Sequence, residues 1–99
     1  MKMDVEARRA LLTIRACVAR GRYRVLTHFT QRMDQRGLVW PDVLAVLDAP
    51  GAVRSGGRDR FGRPKWLVGG TATAGDPLEI VCVLDVDEHG EHTVFITLY

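Results

Sequence analysis

Several features that define other classes of protein are scarce in this sequence of 99 residues. It holds only two cysteines, Cys17 and Cys82, which stand far apart and form no Cys-x-x-Cys pair. Its three histidines do not have the spacing of a zinc site. We therefore expect two buried, reduced thiols, and we predict no disulfide, no metal and no cofactor.

Long apolar runs are also missing. The longest, Ile80–Leu84, is far shorter than the stretch of about 20 residues that a membrane-spanning helix needs. The N-terminus carries Lys2 and Asp4 where a secretory signal would begin its apolar segment. These features predict a soluble, cytoplasmic protein with no membrane partner. The length and the 46% apolar content predict one domain over residues 1–99.

Basic residues are absent from the last third of the chain. All fourteen Lys and Arg lie between Lys2 and Lys65 together with six acids, so that stretch has a net charge of +8. Residues 66–99 hold six acids and no Lys or Arg, a net charge of −6 with histidine counted as neutral. A basic half beside an acidic half is typical of a polyanion-binding face, but the two halves can equally neutralise each other across the fold.

The first half of the sequence has helical periodicity. A first helix is predicted from a cap at Asp4 to Arg20, with Leu11, Leu12, Ala16 and Val18 on its apolar face. A short strand over 23–26 precedes a second helix over 28–36, with Thr27 as its N-cap. A third helix is predicted to begin at Pro41 and to end at 50–51.

From residue 51 onward the pattern alternates, as it does in strands. We predict strands over 52–54, 65–73, 78–86 and 92–99, a bulge at Gly69–Gly70, and a mobile basic loop over 56–64. Short turns join the last three strands into an antiparallel meander. The predicted fold class is α+β, with N-terminal helices packed on one face of a curved antiparallel sheet.

The second helix carries the most suggestive side chains. His28, Arg32 and Arg36 recur every four residues and therefore share one stripe, with Gln31 and Gln35 beside them. Guanidinium groups bind phosphate oxygens with paired hydrogen bonds, and an imidazole can transfer a proton near neutral pH. This stripe predicts a site that holds an RNA phosphodiester. The alternative is structural, with the imidazole bonded to a backbone carbonyl and the arginines paired with acids.

Other candidates lie in the second half. Arg58, Arg60, Arg63 and Lys65 can hold a phosphate backbone, and Phe61 and Trp66 can either stack on bases or pack in the structure. Tyr99 shares a face of the last strand with Thr97, where it can donate a proton or pack. His89 and His92 are expected to be solvated surface residues.

The stretch Thr27–Leu47, which begins THFTQRMDQRG, resembles the opening of a bacterial family known as domain of unknown function 4258. The resemblance rests on a histidine, an arginine four residues later and an Arg-Gly pair. The ending TVFITLY, Thr93–Tyr99, is similar to the family's last strand. The match extends from about Tyr23 to Tyr99. Trp40 stands where the family usually has a capping Ser or Thr.

That family resembles the RelE-like ribonuclease toxins, which share a RelE/barnase-like arrangement of helices on a curved sheet. The resemblance implies a metal-independent endoribonuclease, a toxin component that acts on RNA, on or off the ribosome, and that is neutralised by an antitoxin protein. It points to His28, Arg32 and Tyr99 as catalytic, and to Arg36 and Lys65 beside them. Two alternatives stay open: a non-catalytic module that binds nucleic acid or protein, and a structural domain that forms a homodimer through its sheet edge.

Overall fold

The computed structural model of the protein describes residues 4–99; Lys2, counted above among the N-terminal charges, lies outside this range. The helices are α1 (Val5–Ala19), α2 (Thr27–Gln35) and α3 (Trp40–Asp48). The strands are β1 (Tyr23–Val25), β2 (Ala52–Arg58), β3 (Pro64–Thr71), β4 (Pro77–Asp87) and β5 (Gly90–Leu98). The predicted α+β class is confirmed. Within residues 4–99, no helix is long and apolar enough to cross a membrane.

The five strands form one mixed sheet in the order β1-β5-β4-β3-β2. Strands β3 to β5 are an antiparallel meander, as predicted, and β2 extends it, but β1 runs parallel to β5, with Tyr23 beside Thr93. The prediction of a purely antiparallel sheet is therefore wrong. Short turns force neighbouring strands to run antiparallel, whereas two helices and three strands separate β1 from β5 and leave its direction free.

Helix α1 begins as predicted, because the Asp4 carboxylate accepts a hydrogen bond of 2.7 Å from the Ala7 amide. Its buried residues are Ala7, Ala10, Leu11, Ile14 and Cys17. The predicted apolar face was partly wrong, since Ala16 and Leu12 are exposed, Leu12 by 57%. Ile14 and Cys17 complete the buried stripe instead.

The other two helices start differently from the prediction. Leu26, not Thr27, occupies the N-cap of α2, with extended backbone angles and no side-chain cap. In α3, Trp40 is the first helical residue, and the Asp42 carboxylate accepts a hydrogen bond of 2.9 Å from the Val39 amide. Asp42 thus stabilises the start of α3.

The helices bury their apolar faces against one face of the sheet. The rings of Phe29 on α2 and Phe95 on β5 lie 5.5 Å apart, and both residues are completely buried. Trp40 meets the Phe95 ring edge-on and stacks on Tyr23 at 5.3 Å. Trp66 on β3 is also part of this core. No helix within residues 4–99 covers the opposite face of the sheet, and we call it the open face.

Gly69 and Gly70 pair regularly with β4, so the bulge predicted there is wrong. A Cβ on Gly70 would lie 3.2 Å from Val46 of α3. Glycine at this position therefore allows α3 to pack closely against the strand and does not mark a bulge. Register shifts occur instead between Ser55 and Arg58 and between Val81 and Cys82. The predicted loop over 56–64 is much shorter in the structure, because β2 extends to Arg58 and β3 begins at Pro64.

Candidate functional site

A groove of about 530 Å³ lies on the open face. Successive residues of a strand point to opposite faces, so Val81 points away from the helices while Ile80 and Cys82 enter the core. Val81, Ile96 and Thr97 form the floor of this groove. The hairpin turn between β2 and β3 forms one wall, and Leu26 and Tyr99 close the other end. The groove therefore combines apolar side chains with the basic side chains of the hairpin.

The Asp59 carboxylate organises the hairpin wall. One oxygen accepts hydrogen bonds from the amides of Phe61 (3.0 Å) and Arg63 (2.8 Å), and the other accepts one from Arg63 Nε at 2.7 Å. Burial raises the pKa of Asp59, but the hydrogen bonds from Arg63 and the Phe61 amide outweigh it and lower the pKa below its ordinary value. The turn is thus a fixed structure that needs no apolar anchor.

Arg63 forms ion pairs with two carboxylates. Besides its contact with Asp59, its Nη1 lies 3.2 Å from Asp85 Oδ2 on β4. The hydrogen bond with Asp59 and that with Asp85 raise the pKa of this guanidinium. Arg63 was predicted to bind phosphate, and the structure places it in the groove lining, where it ties the hairpin to the sheet.

Three other cations line the groove and face no carboxylate among residues 4–99: Arg58, Arg60 and Lys65. Arg58 donates a hydrogen bond of 2.7 Å to the Gly62 carbonyl, which fixes its position and leaves its charge uncompensated. Lys65 is half-buried, and Arg60 is exposed at the turn. These three side chains give the groove a positive potential.

Two aromatic rings line the groove, and each has at least one guanidinium group beside it. Phe61, at the turn, is 66% exposed, and the Cζ atoms of Arg60 and Arg63 lie 4.8 and 5.1 Å from its ring centroid. Tyr99 is 60% exposed, and Arg32 Cζ lies 5.6 Å from its ring centroid. Cations at these distances are attracted to the ring faces.

The two arginines of the predicted stripe on α2 contact different parts of the sheet. Arg32 Nε donates to the Leu98 carbonyl at 3.1 Å and lies beside Tyr99. Arg36 Nη2 donates to the Pro77 carbonyl at 2.8 Å, in a second depression that Tyr99 also lines. Both arginines thus bond to backbone carbonyls, and neither pairs with an acid within residues 4–99. His28, one turn before Arg32, is exposed and lines neither depression.

The structure therefore brings four of the predicted site residues, Arg58, Arg63, Lys65 and Tyr99, into one groove, and Arg32 lies beside Tyr99. Asp59 is the residue that sequence reasoning missed. Its signal was available, since Asp at the first position and Gly at the fourth, as in Asp59–Gly62, is typical of a type I turn.

His92 was expected on the solvated surface, and this expectation is wrong, since its side chain is only 13% exposed. Its Nδ1 lies 3.4 Å from Asp87 Oδ2, and its Nε2 lies 4.0 Å from Asp85 Oδ2. Asp87 is itself held by Arg22 at 2.7 Å. Cross-strand pairing of Asp85 with His92 turns the ring onto the sheet, which the turn-flanking position in the sequence did not indicate.

A comparison with protein families matches the chain to the family described as Domain of unknown function (DUF4258) over residues 25–99, about three quarters of its length. Comparisons with curated proteins and with solved structures found no match. The matched region contains α2, α3 and strands β2 to β5, and hence every residue of the groove. The resemblance inferred from the His28–Arg32–Arg36 pattern is thereby confirmed at the level of the family. This chain belongs to the DUF4258 family.

Proposed function

We propose that this protein is a metal-independent endoribonuclease that holds single RNA strands on its open face. One observation carries the proposal: the groove combines three uncompensated cations with Tyr99 and its neighbour Arg32. Phosphate oxygens would lie against Arg58, Arg60 and Lys65 through charge-assisted hydrogen bonds.

The chemistry follows from the nature of the groups available. Without a metal, the 2′-hydroxyl of RNA is the nucleophile closest to the phosphorus, so the reaction needs a base, an acid and a cation. His28 accepts the 2′-hydroxyl proton, the 2′-oxygen attacks phosphorus, and Tyr99 donates a proton to the departing 5′-oxygen. Arg32, beside Tyr99, stabilises the charge on the phosphorane oxygens. The products are a 2′,3′-cyclic phosphate and a 5′-hydroxyl.

The proximity of His28 to this centre rests on helix geometry. Side chains four residues apart on a helix have Cβ atoms about 5–6 Å apart, so His28 is a direct neighbour of Arg32. The imidazole lies in the first turn of α2, one turn before Arg32.

The test is cleavage of 5′-labelled single-stranded RNA by purified protein in EDTA. We expect wild type to cleave and to leave a 2′,3′-cyclic phosphate, and we expect Tyr99→Phe and His28→Ala to be slower by about 10²–10⁴-fold, the usual loss for a proton-transfer group. His89→Ala is the matched control, because His89 is exposed in the β4–β5 turn, 72% by side chain. A 2′-deoxy substitution at the cut site should abolish cleavage.

Two outcomes would contradict this assignment. Cleavage at equal rates by wild type, Tyr99→Phe and His28→Ala would remove these residues from the reaction. Cleavage of the 2′-deoxy substrate would show that the 2′-hydroxyl is not the nucleophile.

A second candidate function is a catalytically silent RNA-binding module. It is favoured by one observation: the described chain offers His28 no hydrogen-bond partner that would orient its ring, whereas a catalytic imidazole is usually held by a second group. Salt-sensitive binding of RNA without cleavage would support this candidate over the first.

The resemblance to RelE-like toxins supplies a biological setting for the first candidate. Under this proposal the protein is the toxin of a toxin–antitoxin pair, acts on RNA on or off the ribosome, and is neutralised by its antitoxin. Induced expression should then arrest growth, and the Tyr99→Phe variant should not. Normal growth at a matched level of wild-type protein would contradict the toxin assignment.

A further inference from the structure

We infer that Phe61 is a base-stacking residue, which makes the groove a site for unpaired nucleotides rather than for a phosphate backbone alone. The inference rests on the proposed RNA-binding function and goes beyond it, because cations alone do not distinguish a strand with bases from one without them. Three observations on the hairpin turn support it.

The first observation is the exposure of the ring. Phe61 leaves 66% of its surface to solvent at the tip of a hairpin. A single exposed apolar residue would need no explanation, but this one belongs to a concave patch with Val81, Ile96 and Tyr99, rimmed by cations. Exposed apolar patches with polar rims mark binding sites.

The second observation is that the turn does not need the ring. Asp59 already accepts hydrogen bonds from the Phe61 and Arg63 amides, and the Asp59–Arg63–Asp85 contacts fasten the turn to β4. The backbone therefore holds Phe61 in place without packing of its ring in the core, and the exposed part of the ring, beside the guanidinium groups of Arg60 and Arg63, is open to a ligand. A preorganised ring loses little freedom when a base stacks on it.

The third observation is the charge around the ring. The guanidinium of Arg60, which faces no carboxylate in the described chain, lies 4.8 Å from the ring centroid. A nucleotide that stacks on Phe61 would therefore bring its phosphate to a cation. Aromatic rings beside basic side chains are the usual platform for single-stranded nucleic acid, and a base-paired duplex does not expose its bases for stacking.

The test compares two oligonucleotides of 2′-O-methyl RNA, which resists cleavage by this mechanism: one with bases, and one with the same backbone but abasic. We expect wild type to bind the base-containing strand about tenfold more tightly, the effect typical of a stacked base. Phe61→Leu should lose this preference and keep its affinity for the abasic strand, and Phe61→Trp should restore the preference.

Leu12→Ala is the control, since Leu12 is exposed by 57% on α1, on the other side of the sheet. Because Phe61 is exposed, its substitution should leave the thermal midpoint unchanged, which circular dichroism checks. An equal loss of affinity for both strands in Phe61→Leu would overturn the inference, as would a wild type that binds both strands equally well. If wild type bound neither strand, the RNA-binding function itself would fail along with the inference.

Discussion

Replacing Lys65 by Gln should reduce the salt dependence of RNA binding by a defined amount. Lys65 lines the groove beside Arg58 and Arg60, and none of the three faces a carboxylate within residues 4–99. Arg63 is left out of the count because Asp59 and Asp85 already neutralise it. Three phosphate contacts to a single strand predict a slope of log affinity against log salt of about −2, since each contributes about −0.7.

In practical terms, wild-type affinity should fall about 20-fold between 50 and 200 mM salt, and that of Lys65→Gln only about sevenfold. Fluorescence anisotropy with a labelled, uncleavable oligonucleotide measures both slopes. Arg8→Gln removes the same charge from the exposed side of α1, across the sheet from the groove, and should leave the slope unchanged.

Equal slopes of log affinity against log salt for wild type and Lys65→Gln would refute the reasoning, because they would mean that no counterion is released at this lysine. An equal change in Lys65→Gln and Arg8→Gln would refute it in another way, since binding would then respond to net charge and not to the groove.

Two further predictions concern the fold. Burial raises the pKa of Cys82 to about 12, so iodoacetamide at pH 8 should label this thiol only after the protein unfolds; rapid labelling of the native protein would contradict the packing. Hydrogen bonds from the Thr73 hydroxyl and the Val39 amide lower the pKa of Asp42 below its ordinary value of 3.8. The ionised carboxylate therefore stabilises the folded protein fully above pH 3.8, and this stabilisation is lost as the pH falls through the lower pKa of the native state. Urea unfolding should show Asp42→Asn less stable than wild type at pH 6, with the gap narrowing below pH 4; a gap that stays constant with pH would exclude this carboxylate as its source.

Local patterns predicted most of the secondary structure, because the signals are local. Asp4 caps α1 through a contact three residues away, and alternation with short turns fixes the meander of β3, β4 and β5. The errors arose where contacts between residues far apart in the sequence determine the structure. The direction of β1 depends on how α2 and α3 pack, and Gly70 is a glycine because Val46 of α3 approaches it.

The same distinction between local signals and distant contacts applies to the candidate site. Helical spacing correctly placed Arg32 and Arg36 on one stripe, but it could not show that both bond to carbonyls of distant strands, Leu98 and Pro77. Nor could it show that Arg63 is neutralised by Asp85, which lies 22 residues further along the chain. Residue type predicts which groups can bind phosphate, whereas only the fold determines which of them keep an uncompensated charge.

The uneven distribution of charge along the sequence admitted two interpretations, and the structure shows that part of the charge is neutralised internally. Three acids of the acidic half, Glu79, Asp85 and Asp87, pair with Arg54, Arg63 and Arg22 of the basic half. Much of the asymmetry is therefore internal neutralisation across the sheet. Asp59, which lines the groove, is likewise paired with Arg63, whereas Arg58, Arg60 and Lys65 face no carboxylate within residues 4–99. The proposed function therefore depends on the local excess of positive charge that remains after pairing, and a net charge of only +2 is compatible with it.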